Sequence, residues 1–142
     1  PLAEEIDFIR SYLSIEQMRL GDRLEIVWKI DPTVLGARVP SLILQPIVEN
    51  AIRHGIAVSS HGGRLEISAS RVGDQLKLEV HDNGPGLNPD NDHSGIGVGH
   101  TRARLERLYG ERASFRLTSE HGVIASMLLP WLDGANRGSA HS

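Results

Sequence analysis

The 142-residue chain has no cysteine, which excludes thiol nucleophiles, disulfide frameworks and zinc–thiolate sites. Aromatic residues are scarce, with two Phe, two Trp and two Tyr. That is too few for a platform on which nucleic-acid bases stack. Lysine occurs twice, as Lys29 and Lys77, and there is no G-x-x-x-x-G-K-[ST] run, so the P-loop route to phosphate binding is excluded. Neither sign of charge dominates: 15 basic residues face 18 acidic ones, for a net charge of −3. This balance argues against nucleic acid as a partner. Long apolar runs are missing too. Leu42-Ile43-Leu44 breaks at Gln45-Pro46, and nothing approaches the roughly 20 apolar residues of a membrane span. No signal-peptide pattern opens the chain. Glycine is what the chain has in excess: 15 residues, well above the usual share of about 7%. Where those glycines sit is the main question.

The length fits one domain able to bury its own core. Glu4 to Leu20 reads as a helix, with Ile6, Ile9 and Leu13 on one stripe and Gly21 as its stop. Leu24 to Ile30 alternates as a strand, ended by Asp31-Pro32. Leu44, Ile47, Val48, Ala51 and Ile52 then form a helical apolar stripe, with Pro46 either a kink or the true first turn and Gly55 a natural end. A hairpin follows, carrying Leu65, Ile67 and Ala69, then a Gly73-Asp74 turn, then Leu76, Leu78 and Val80. Asn83 to Ser94 reads as a loop and Gly99 to Tyr109 as a helix. Strands Ser114–Thr118 and Val123–Leu129 close the domain, with Gly122 an ordinary turn residue. The order indicates an α+β two-layer sandwich, a mixed and mostly antiparallel sheet with helices on one face. Residues 1–132 make the domain, 1–21 its leading helix, and the small polar tail 133–142 is expected to be disordered.

Three clusters carry chemistry. On the second helix, Glu49, Asn50, Arg53 and His54 share the side opposite the apolar stripe. A carboxylate beside a carboxamide oxygen suits Mg2+, which keeps phosphate and water oxygens around it. The same residues also fit a solvated polar face. In the second cluster, strand alternation puts Asp82 on the face of Leu76, Leu78 and Val80, followed by Asn83-Gly84-Pro85-Gly86. A carboxylate among apolar neighbours needs a donor, and a ligand amino group would serve. A tight turn is the plainer reading. In the third, Gly95-Ile96-Gly97-Val98-Gly99 leads into a helix at His100-Thr101. Free N–H groups at such a start favour phosphate, although a flexible loop looks the same.

Each cluster is weak alone; their order and spacing together resemble the GHKL superfamily of ATP-binding domains. Glu49-Asn50-Ala51 is similar to its N box, Asp82-x-Gly84-x-Gly86 to its G1 box and Gly95-x-Gly97-x-Gly99 to its G2 box. Leu44 to Gly55, Arg104-Leu105-x-x-Leu108-Tyr109-Gly110 and Tyr12-Leu13-x-Ile15-Glu16-x-x-Arg19 resemble the LytS-like sensor histidine kinases more closely. The resemblance implies a Bergerat fold binding ATP and Mg2+, with Asp82 accepting from the adenine amino group and Asn50 coordinating the metal. Glu49 takes a catalytic or Mg-shell role. Arg53, His54, Gly84, Gly86, Gly95, Gly97, Gly99, His100 and Thr101 complete the ATP contacts. The G2 segment aligns in two registers, because His100 falls where either Asn or Leu is common. Arg102 and Arg104 are either γ-phosphate contacts or surface charges. Pro46 stands where gyrase-type relatives carry a water-activating Glu, which favours transfer to a protein group over hydrolysis.

None of the seven histidines lies in an Asn-Pro-His-Phe type context. The resemblance therefore implies an acceptor histidine on an upstream dimerisation domain, and the chain reads as a catalytic fragment starting without Met. Its expected partners are that domain and a response regulator such as the LytTR type, in a homodimeric, membrane-associated whole whose catalytic part is cytoplasmic and makes no membrane contact itself. A degenerate module signalling through protein contacts and an anti-sigma-type serine kinase are the alternatives.

Overall fold

The computed structural model describes residues 1–53, 63–83, 96–119 and 122–131. Helix α1 spans Leu2–Leu20, α2 Gln45–Ala51 and α3 Ile96–Tyr109. Strands β1 to β5 are Leu24–Ile30, Gly63–Val72, Gln75–Asp82, Ser114–Ser119 and Val123–Pro130. They form one sheet in the order β1-β2-β3-β5-β4. The pairing of β1 with β2 is parallel, and the other three pairings are antiparallel. The expected mixed, mostly antiparallel sheet is therefore present.

Alternation decides which face of the sheet is covered. Leu65, Ile67 and Ala69 of β2, Leu76, Leu78 and Val80 of β3, and Val123, Ala125, Met127 and Leu129 of β5 are all buried. All but Val123 join Ile6, Ile9 and Leu13 of α1, Ile47 and Val48 of α2, and Leu105 of α3 in one core. The opposite face carries Lys29, Arg64, Glu66, Lys77 and Glu79, linked in short ion pairs of 3.3 to 3.6 Å. Such exposed pairs add little stability, but they keep that face wet, so the helices pack on one side.

Helix α1 begins at Leu2 rather than Glu4, β4 and β5 each run one residue further, and two more boundaries bear on the site. Helix α3 begins at Ile96, so Gly97 and Gly99 lie inside its first turns rather than in a loop before it. Helix α2 ends at Ala51 and widens into a π-type turn at Ile52 and Arg53. Pro46 sits in its first turn, where a missing N–H costs nothing. Gly55 and the tail 133–142 lie outside the described residues.

Candidate functional site

Asp82 ends β3 on the inward face, 2% exposed. Its register partners are Leu65 on one side and Val123 on the other, so a carboxylate stands in an apolar row. The strand end is pinned beside it. Arg64 N–H donates to Asn83 Oδ1 at 2.7 Å, and Asn83 N–H donates to the Arg64 carbonyl at 3.2 Å. From the other side comes Gly122, with φ at +117°. A Cβ there would lie 1.8 Å from the Asp82 carbonyl oxygen. Gly122 is thus no ordinary turn residue: its missing side chain lets β5 close against the backbone carrying Asp82. Sequence reasoning missed this because the contact joins residues far apart in the chain.

Over Asp82 lies a cleft lined by Ile47, Asn50 and Ala51 of α2, Val80 and Asp82 of β3, Leu117 of β4, and Val123 and Ala125 of β5. It is narrow as it stands, with a cavity volume of about 10 Å³, room for about one water, so a ring can enter only as α2 and the sheet edge part. Apolar walls with one carboxylate and one carboxamide suit a flat heteroaromatic ring bearing an amino donor. A roomier hollow, lined by Arg102, Leu105, Glu106 and Phe115 among others, shares no lining residue with this cleft and contains no buried carboxylate. The chemistry belongs to the smaller cleft.

The polar residues of α2 divide between two directions. Asn50 lines the cleft, whereas Glu49 is not among its lining residues. Glu49 accepts from Gln45 Nε2 at 2.9 Å. It also lies close enough to Tyr12 of α1 to help raise that phenol to about 12, after burial and Glu16, with Arg53 and Arg19 opposing. Glu49 and Arg53 therefore stand toward α1, so the carboxylate and carboxamide do not face one cleft together. Among the described residues, no three His, Asp or Glu side chains gather as a metal site. An ion here would need oxygens from its ligand.

On α3, Thr101 is buried and His100 exposed. Arg102 stands over the Phe115 ring, 5.2 Å from its centre, which favours its reading as a surface charge. Helix α3 is described from Ile96 onward, and the first turn of a helix favours an anion. His54, Gly84, Gly86 and Gly95 lie outside the described residues.

A helix-covered sheet, a buried carboxylate at the end of its central strand and a carboxamide facing it from a helix define a nucleotide-binding class of domain. The chain belongs to the Histidine kinase-, DNA gyrase B-, and HSP90-like ATPase family, whose pattern matches residues 37–131. Membership implies ATP binding.

Two curated relatives are sensor kinases. One is the sensor histidine kinase BtsS of Escherichia coli strain K12, 36% identical over 136 residues, covering 94% of this chain and 24% of the relative. The other is the sensor protein LytS of Staphylococcus saprophyticus, 33% identical over 143 residues, covering 92% and 24%. The chain thus spans about a quarter of the length of these relatives. Among solved structures, it is similar in fold to the histidine kinase domain of a blue-light activated histidine kinase from Erythrobacter litoralis EL346. The TM-score is 0.70 at 19% identity, over 98% of this chain and 64% of that one.

Proposed function

We propose that this chain is the ATP-binding catalytic domain of a two-component sensor histidine kinase. It would pass the γ-phosphate of ATP to a histidine on a dimerisation domain elsewhere in the protein, which would then serve a response regulator. The observation that carries the reading is Asp82, buried on the cleft floor opposite Asn50. The kinase identity of the relatives supports the transfer step.

In this reading Asp82 accepts from the adenine amino group while Ile47, Ala51 and Val123 cover the ring. Asn50 supplies the one protein oxygen on α2 that reaches the phosphate side, and Mg2+, when bound, neutralises charge on the transferring phosphoryl group. Gly97 offers a backbone N–H group to the phosphates at the start of α3, with Gly99, His100 and Thr101 beside it. Glu49, oriented by Gln45, faces the α1 side, where it can take or steer a proton on an incoming imidazole. Arg53, exposed on the same side, adds positive charge for the phosphate. His54, Gly84, Gly86 and Gly95 complete the contacts. The domain would work on the cytoplasmic side, where ATP is available.

Titration calorimetry tests this reading. Asp82→Asn keeps the shape but sets an NH2 donor against the adenine amino group or leaves it half-paired. The expected loss is about 1–3 kcal/mol, or roughly 5- to 150-fold in ATP affinity. GTP, whose ring presents an acceptor at that position, should bind the unaltered chain more weakly than ATP. Equal affinity of the chain and Asp82→Asn for ATP would remove Asp82 from the site.

A further inference from the structure

Asn50 rides on α2, a seven-residue helix without a side-chain cap. Its start is fixed from outside the helix. Glu5, in the first turn of α1, is 7% exposed. Its Oε2 accepts from Leu42 N–H and its Oε1 from Leu44 N–H, each at 2.9 Å. Leu42 has φ at 58°, a left-handed conformation that a leucine keeps only when its surroundings hold it there. The Leu44 carbonyl then accepts from Ile47 and Val48 N–H, both at 3.0 Å, so the first turn of α2 is built on a residue that Glu5 holds. The same turn of α1 donates from Leu2 N–H to the Ala37 carbonyl at 2.8 Å and from Ala3 N–H to the Leu35 carbonyl at 3.0 Å.

We propose that Glu5 is a positioning residue of the nucleotide site: it holds the Leu42–Leu44 turn and so sets where α2 presents Asn50 to the Mg2+-bound phosphates. The inference rests on the ATP-binding reading above. Two N–H groups converge on this side chain, and a carboxylate alone offers an acceptor to both; an amide would turn a donor against one of them. Helix α2 also lays Ile47 and Ala51 along the ring side of the cleft, so a shift in the first turn of α1 is felt on both sides. What singles out Asn50 is the share of ATP affinity that Mg2+ adds, because Ile47 and Ala51 bring no side-chain oxygen to the metal.

Calorimetric and NMR titrations of the chain and of Glu5→Gln, with ATP in the presence of Mg2+ and in the presence of EDTA, test this. Glu5→Gln should lower ATP affinity by about tenfold with Mg2+ and by no more than about threefold without it. Adding Leu42→Gly, which lets the turn keep its φ without the carboxylate, should restore most of the loss. Equal affinity for ATP with Mg2+ in the chain and in Glu5→Gln overturns the proposal. So does an equal loss with and without Mg2+, because that pattern reports general destabilisation. An unaltered chain that binds ATP under neither condition overturns the ATP reading, and this one with it. If Glu5→Gln does not fold, amide exchange in the unaltered chain decides: saturating ATP must slow exchange at Leu42 and Leu44 more with Mg2+ than without it, and equal slowing overturns the proposal.

Discussion

Gly122 and Asp82 show how a single residue can be indispensable without contributing an atom to chemistry. With φ at +117° and the Asp82 carbonyl 1.8 Å from where a Cβ would stand, Gly122→Ala must push β5 away from β3 or twist its own backbone. We expect it to destabilise the domain by about 3 kcal/mol or more, measured by urea unfolding. Full stability in that variant would refute the close approach. Asp82 itself was legible from strand alternation beside Leu76, Leu78 and Val80. Glu5 was not. Two adjacent glutamates at a helix start read as ordinary dipole partners, and the two N–H groups that select one of them lie 37 and 39 residues away. Burial set by distant backbone leaves no local trace.

Among the elements, α3 tests the functional reading of the glycine excess. The helix starts at Ile96, and a Cβ on Gly99 would meet nothing within 4 Å. Packing therefore gives no reason for glycine there. Gly99→Ala should raise stability by roughly 0.5–1 kcal/mol through helix propensity, while weakening ATP binding if the backbone closes on phosphate. A gain in thermal midpoint with unchanged ATP affinity would move Gly99 out of the cradle. The strands were the best-read elements, because period-two alternation leaves little choice of face. The polar side of α2 was read less well. Spacing placed Glu49 and Asn50 on a common side, but neighbouring positions differ by about 100° around a helix. Helix α1 and β3 then claim one residue each.

At the scale of the molecule, both tyrosines lean on the fold. Burial, with help from Glu16 and Glu49, raises Tyr12 from 10 to about 12, and burial also raises Tyr109. The folded chain thus holds these phenolic protons more tightly than the unfolded one. For Tyr12 that contribution is complete below pH 10, falls as pH climbs toward about 12, and is gone above it. Ultraviolet difference titration should find both phenols ionising late, and Tyr12→Phe should flatten the alkaline loss of thermal stability. The two-layer architecture was legible from element order and alternation. The strand order β1-β2-β3-β5-β4 was not, since placing β5 inside β4 and pairing β1 with β2 depend on contacts between distant segments.

The parallel pairing of β1 with β2 also sets a sequence of assembly. Parallel neighbours cannot be joined by a tight turn, and here the joining segment contains α2 and Asn50. The β2–β3 hairpin closes through a short turn at Gly73-Asp74, so Asp82 reaches its strand end early. Strand β1 must wait until the longer crossover has closed. A half-assembled chain already holds one side of its cleft. The second side, carried on the crossover, closes later.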